Sequence, residues 1–154
     1  MSDRHPTGPV HATAIAIDGR CVLIAGEAGS GKTTLALEII RRARAADRDA
    51  GLIADDRTDL VPHQGTLLAR CPAPIRGKIE IRGFGIADAT AMTVAQAPVA
   101  LLVRLVEPAR ARRFAEGETE TLAGCRLPCL RLPAGPAPSA ATAVFAALGL
   151  PVWL

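Results

Sequence analysis

A glycine-rich segment at residues 26–33 has the residue types and spacing of a phosphate-binding loop. It reads, in order, Gly26, Glu27, Ala28, Gly29, Ser30, Gly31, Lys32 and Thr33, with Thr34 directly after it. Three glycines let successive backbone N–H groups converge on one anion, and the start of a following helix adds partial positive charge. The lysine of such a loop reaches the terminal phosphates, and the next hydroxyl can ligate Mg²⁺. This phosphate loop therefore predicts binding of a nucleotide or another polyphosphate.

The residues on both sides predict the strand and the helix that a phosphate loop needs. The apolar run 21–25 reads as a buried strand, and from Thr34 a helical pattern begins. Its apolar stripe consists of Leu35, Ala36, Ile39, Ile40 and Ala43. Residues 11–17 predict an earlier strand, and Asp18-Gly19 is a hairpin turn signal. We therefore expect the chain to enter the loop from an antiparallel hairpin, a context in which a chance glycine-rich turn is rare.

The remaining pattern predicts an α/β domain, a sheet with flanking helices. Short strands are expected at 51–54, 59–62, 66–70, 99–106 and 127–132, with a turn at 63–65. A final helix is expected at 140–148, capped by Ser139 and stopped at Gly149.

An acidic pair, Asp55-Asp56, follows the predicted strand 51–54 directly. Neighbouring strand residues point to opposite faces, so at most one carboxylate is expected to face the phosphate if the strand continues that far. That carboxylate can act as a general base on an incoming hydroxyl group or hold Mg²⁺, and the pattern does not separate the two roles. An acidic turn without function is the alternative, which the nearby phosphate loop disfavours.

Glu80 and His11 carry weaker signals. Glu80 alternates with isoleucines and charged residues, which is typical of the solvent-facing side of a strand. His11 stands alone before a predicted strand, where a histidine is usually a surface residue. By pattern alone neither residue receives a role, and neither do His5 and His63.

Composition narrows the function classes. The 154 residues amount to one domain; they carry a net charge of +3, and only 3% are aromatic, with no tyrosine. The low aromatic content offers no side chains on which bases could stack, so nucleic-acid binding is not expected. No secretion signal and no membrane-length apolar run is evident. The four cysteines form no C-x-x-C pair and are expected to be reduced. We therefore expect a cytoplasmic protein.

Four segments in this order resemble the catalytic domain of the bacterial HPr kinase/phosphorylase family. They are Val10-His11-Ala12, the phosphate loop, Ala54-Asp55-Asp56 and the segment 80–86, which resembles the family signature. The resemblance covers nearly the whole chain from Val10 onward. It implies a sheet of the phosphoenolpyruvate carboxykinase-like phosphate-loop type, formed by a single domain over 1–154. Residues 1–9 are then expected to be flexible, without the family's N-terminal domain, as in truncated proteobacterial forms.

The resemblance implies ATP- and Mg²⁺-dependent phosphorylation of a serine on the phosphocarrier protein HPr. It also implies the reverse reaction, in which inorganic phosphate attacks the seryl phosphate and gives pyrophosphate. The resemblance implies that Asp55 is the acid/base, assisted by Asp56, with His11 beside them. Lys32 would contact the phosphates, and Thr33 and Glu80 would contact Mg²⁺. Arg113 would stabilise the transferring phosphoryl group, with Arg112 as the alternative. The family usually has Ser at the position of Thr33 and Glu at that of Thr34. Its hexamer makes a homo-oligomer an expectation.

Two other functions fit the same loop. A small-molecule kinase would need an arginine-bearing lid, and residues 110–113 could serve as one, although the chain has no second substrate-binding insertion. A nucleotide-dependent regulatory module with weak catalysis would fit the short C-terminal region.

Overall fold

A mixed sheet of eight strands forms the centre of the molecule, with two helices on one face. In this computed structural model the described residues are 9–154, so the segment expected to be flexible lies, apart from Pro9, outside them. The strands and helices are β1 (Ala12–Ile17), β2 (Arg20–Ala25), α1 (Lys32–Ala45), β3 (Ala50–Ala54), β4 (Asp59–His63), β5 (Thr66–Arg70), β6 (Lys78–Ile81), β7 (Gly85–Asp88), β8 (Gln96–Val106), β9 (Thr119–Leu122), β10 (Cys125–Pro133) and α2 (Ala137–Ala147).

The predicted hairpin entry is confirmed. β1 and β2 pair antiparallel with Ile17 opposite Arg20, so Asp18 and Gly19 form a two-residue turn. Both turn residues have positive φ, 50° and 78°, which is the conformation that matches the twist of a tight hairpin. The phosphate loop therefore follows β2, a strand that is held in place by its pairing with β1.

α1 begins at Lys32, two residues before the predicted start, and buries the predicted stripe. That stripe packs on the sheet face formed by Ile15, Ile17, Val22 and Ile24. α2 lies beside α1 on the same face, where Phe145 is fully buried. Burying these side chains fixes the first turn of α1, and with it the lysine and threonine that end the loop.

Strand order explains why distant residues meet. The main path is β3-β1-β2-β8-β10-β9, in which β2 and β8 are parallel and β8 and β10 are parallel. β1 runs antiparallel to both β2 and β3, so β2 and β3 point the same way. The loop after β2 and the acidic pair after β3 therefore lie at one edge of the sheet, with β1 between them.

The β4–β5 hairpin covers the opposite face. Its turn at Gln64 and Gly65 has positive φ at both residues, as the predicted strand pair requires. β5 continues the sheet by pairing with the start of β8. The core beneath it contains small residues of β1, among them Ala14 and Ala16.

Some sequence-based boundaries were wrong. α2 starts at Ala137 with Pro136 as its cap residue, and the Ser139 hydroxyl donates to the Pro136 carbonyl from inside the first turn. Segment 79–86, for which no strand bounds were predicted, lies in the hairpin of β6 and β7. β9 was not predicted, because an exposed four-residue edge strand has no apolar periodicity to detect. In residues 9–154 neither helix is long and apolar enough to cross a membrane.

All four cysteines are free thiols, in agreement with the sequence. Burial raises the pKa of Cys21 well above its ordinary value, because the surroundings disfavour a thiolate. This thiol packs as an apolar group and is not a candidate nucleophile.

Replacing Glu120 by Gln is expected to flatten the acid dependence of stability. Glu120 of β9 accepts a 2.7 Å bond from Arg104 Nε of β8, across β10, and this bond lowers the pKa of Glu120 below 4.5. A lowered folded-state pKa stabilises the fold above pH 4.5, and that contribution is lost as the pH falls through the folded value. Urea unfolding should show the variant less stable than the wild type by about 1 kcal/mol at pH 7 and by less at pH 3.5. An equal deficit at both values would contradict this.

Candidate functional site

The phosphate loop needs its glycines for two physical reasons. Gly29 and Gly31 have φ of +80° and +99°, a region that residues with a Cβ rarely adopt. A Cβ on Gly26 would lie 2.5 Å from Ser30 Oγ and 3.2 Å from Leu105 Cβ. The Ser30 hydroxyl is buried and has no hydrogen-bond partner among the described residues. The loop thus holds a free donor close to its backbone N–H groups.

Lys32 lies across the opening of the loop. Its side chain is 7% exposed, and Nζ donates to the carbonyl oxygens of Gly26 at 2.9 Å and Glu27 at 3.2 Å. Nζ also lies 3.7 Å from Asp56 Oδ1. The ammonium group is therefore held where an anion seated in the loop would meet it.

The Asp55 carboxylate connects three segments of the chain. Oδ1 accepts from Thr33 Oγ1 at 2.8 Å and from Thr13 Oγ1 at 3.1 Å. Oδ2 accepts from the backbone N–H of Glu80 at 3.0 Å. The residue is buried, and both oxygens have partners. Asp55 thereby fixes the Thr33 hydroxyl at the start of α1.

Asp56 is the more accessible member of the pair. Its side chain is 48% exposed, with Oδ1 3.1 Å from His11 Nε2. Its backbone has a φ of 62°, and its N–H donates to Thr13 Oγ1. The expectation that at most one carboxylate faces the loop assumed a continuing strand. β3 ends at Ala54, so the left-handed turn at Asp56 brings both carboxylates to loop residues.

Glu80 reaches this site through its backbone, because β6 lies over the Asp55 carboxylate. Ile79 is buried, whereas the Glu80 side chain is exposed, as the solvent-facing interpretation predicted. Its Mg²⁺ contact stays a prediction. Two residues further along, Arg82 Nη2 lies 3.6 Å from the position that a Cβ on Gly29 would occupy.

Arg113 and Arg112 are not brought to the loop. Arg112 pairs with Glu116 and Glu118, and the Arg113 guanidinium lies 5.3 Å from the Phe114 ring centre. Both line a cavity of about 360 Å³ beside α2 and β10. In the described part of the chain no hydrogen bond or ion pair joins either arginine to residues 26–33, and the role of Arg113 stays a prediction.

Thr13 and Arg82 are the site residues that the sequence reasoning missed. Thr13 is fully buried and joins the two aspartates, donating to Asp55 and accepting from the Asp56 N–H. A polar residue in an otherwise apolar strand was the available signal, since buried polar groups need partners. For Arg82 the available signal was its place in the segment 80–86, which resembles the family signature.

A second cavity opens beside the exposed carboxylate. It measures about 260 Å³ and is lined by Pro9, His11 and Arg57. Because His11 touches Asp56, a molecule entering here would approach that carboxylate from solvent.

The donor set fits a metal ion held together with a bound phosphate. Within residues 9–154 no group of three or more His, Cys, Asp or Glu side chains could hold a metal. Mg²⁺ keeps several waters and commonly takes one or two protein oxygens plus substrate phosphates. The Thr33 hydroxyl, with Asp55 2.8 Å away, supplies hard oxygen atoms of this kind.

The strand, loop and helix with these contacts define an α/β phosphate-loop protein. A sequence profile of the family described as the HPr Serine kinase C-terminal domain matches residues 5–148, and the chain belongs to this family. The predicted resemblance is thereby confirmed, and the central sheet with flanking helices confirms the predicted α/β fold. The phosphoenolpyruvate carboxykinase-like type of this sheet stays a prediction.

Individual relatives agree with this assignment. An HPr kinase/phosphorylase of Clostridium botulinum (strain Eklund 17B) is 38% identical over 85 residues, which are 55% of this chain and 26% of that protein. The HPr kinase/phosphorylase of Bordetella pertussis is 39% identical over 84 residues, 54% and 25% of the two chains. These matches span about a quarter of the relatives' length. The solved structure of the Hpr(Ser) kinase/phosphatase from Coxiella burnetii superposes with a TM-score of 0.75 at 29% identity, covering 92% of this chain and 88% of that one.

Proposed function

We propose that the chain is a protein-serine kinase/phosphorylase that transfers phosphate between ATP and HPr or a related phosphocarrier protein. One observation carries the proposal: the loop lysine, two aspartates and a histidine meet at the end of a phosphate loop in a member of this family. A phosphoryl donor in the loop would have an exposed carboxylate on its open side. This is the arrangement that transfer to a protein hydroxyl requires.

In this proposal the loop and Lys32 hold the phosphates of the nucleotide. The backbone N–H groups at the start of α1 face the anion, and Lys32 exchanges its carbonyl partners for phosphate oxygens. Thr33, oriented by Asp55, would hold Mg²⁺, with Glu80 as a second contact. The ion supplies neutralisation of the charge between the β- and γ-oxygens.

Asp56 is the better placed of the two aspartates to move the proton. A general base must reach the hydroxyl proton, and Asp56 is half-exposed beside His11, whereas Asp55 is buried with both oxygens engaged. Asp56 would take the serine proton while the serine oxygen attacks the γ-phosphorus. In the reverse reaction it would return that proton to the serine oxygen as inorganic phosphate attacks the seryl phosphate. Asp55 then serves as the positioning residue, a division of roles that differs from the one the resemblance implied.

Transfer to HPr is the direct test. The purified protein, HPr, ATP and Mg²⁺ should yield phosphoserine on HPr, whereas a serine-to-alanine HPr should not be modified. Phosphorylated HPr with inorganic phosphate should yield pyrophosphate. No phosphoserine, under conditions in which a longer relative works, would refute the proposal. Transfer to sugars or nucleosides in a parallel panel would point to a small-molecule kinase instead.

Two further parts of the proposal concern the setting of the reaction. With ATP and HPr as its substrates, the protein would act in the cytoplasm. Assembly into a homo-oligomer stays a prediction, and light scattering of the purified chain with and without ATP would measure it.

A further inference from the structure

Arg82 lies over the middle of the phosphate loop. Its Nη2 atom is 3.6 Å from where a Cβ of Gly29 would stand, so the guanidinium lies against the loop backbone. Lys32 bonds to the loop at Gly26 and Glu27 instead. Two cations therefore approach the loop, one at its first residues and one at its centre.

Among residues 9–154 the Arg82 guanidinium has no anionic partner. Some other arginines of the described chain pair with carboxylates, as in Arg48–Asp18 and Arg104–Glu120, whereas Arg76 and Arg82 have no such partner there. Within residues 9–154 Arg82 makes no hydrogen bond and no ion pair. The nearby Asp55 carboxylate is fully engaged with Thr33, Thr13 and Glu80. A phosphate held in the loop would give this guanidinium an anionic partner.

The backbone holds Arg82 close to this position. Glu80 N–H is bonded to Asp55, and Ile79 is buried in the core. After Arg82 the chain turns at Gly83, with φ of 89°, and the Phe84 N–H donates to the Ile81 carbonyl at 3.0 Å. The chain on both sides of Arg82 is thus held by hydrogen bonds and burial.

We propose that Arg82 binds the phosphates held by the loop, as a second cation beside Lys32. The inference rests on the proposed function for the identity of the nucleotide, but its chemistry requires only a polyphosphate in the loop. A guanidinium presents a planar pair of N–H donors that matches two phosphate oxygens, and this geometry is lost in lysine.

Binding of ADP and of pyrophosphate, each with Mg²⁺, tests the inference. We expect Arg82→Gln to weaken both by about ten-fold or more, which is the loss of a charge-assisted bond, and Arg82→Lys to recover part of it. Arg76→Gln is the matched control, because Arg76 is an exposed arginine just before β6. Titration calorimetry gives the affinities, and thermal unfolding without ligand reports the fold.

Each outcome separates the inference from the proposed function. Unchanged affinity in Arg82→Gln would overturn the inference and leave transfer to HPr standing. A lower unfolding temperature than that of Arg76→Gln, without ligand, would show that Arg82 serves the hairpin, and would overturn it too. Selective loss of affinity in a protein that does not phosphorylate HPr would support the inference and refute the proposed function. Failure of the wild type to bind either probe would overturn both.

Discussion

Replacing Asp56 by Asn is expected to lower the rate of phosphoryl transfer to HPr by about 10²–10⁴-fold while the fold stays intact. Asparagine cannot accept the serine proton, although it has the size of aspartate. Asn also tolerates the left-handed backbone that Asp56 adopts at φ 62°. The measurement is the single-turnover rate with saturating ATP and Mg²⁺, together with the affinity for ATP, which should change little.

Asp55→Asn is the informative comparison for this experiment. Its amide would place N–H donors where the carboxylate accepts bonds from Thr33, Thr13 and the Glu80 N–H. At least one of these three groups would lose its hydrogen-bond partner. We therefore expect weaker binding of Mg²⁺ and a lower unfolding temperature. If Asp55→Asn instead lost only the rate and Asp56→Asn kept it, the assignment of the proton to Asp56 would be wrong.

Replacing Lys32 by Ala is expected to weaken ATP binding by about 10–100-fold and to lower transfer with it. The ammonium group is the cation nearest the opening of the loop, and charge-assisted hydrogen bonds to a ligand contribute about 1.5–3 kcal/mol each. Lys78→Ala is the matched control, because Lys78 is the only other lysine and is exposed. Titration with ATP and with ADP gives the affinities.

An unchanged ATP affinity in Lys32→Ala would mean that this lysine does not touch the phosphates. The unfolding temperature must be measured alongside, because Lys32 also closes the empty loop through two carbonyl oxygens. If Lys32→Ala only destabilised the fold, activity would fall without a selective loss of affinity for ligands that carry a phosphate chain.

The elements next to the loop were predictable because their signals are local. The stripe of α1 and the Asp18-Gly19 turn depend on residues only a few positions apart, and the structure has both as expected. The pairing of β8 with β2 and β10 was not predictable, because apolar strands carry no mark of their neighbours.

For the site, the sequence indicated which side chains take part better than it indicated how they are arranged. Lys32, Thr33 and the two aspartates were named from the sequence and lie together in the structure, but the sequence did not reveal that Glu80 would contribute its N–H. Backbone groups are the same at every position, so only the fold decides which of them meet a carboxylate. Arg113, whose role was implied by the family resemblance, lies over the Phe114 ring, whereas Arg82 lies against the loop.

The path of the chain into β1 has a practical consequence for how this protein is handled. Val10 exchanges two backbone hydrogen bonds with Thr58, directly beside His11 and the cavity at Arg57. Any purification tag or fusion partner joined ahead of Val10 therefore emerges next to the entrance that an acceptor protein would use. Leu154, by contrast, is held by Arg42 near the far end of α1, so a C-terminal attachment leaves that entrance clear.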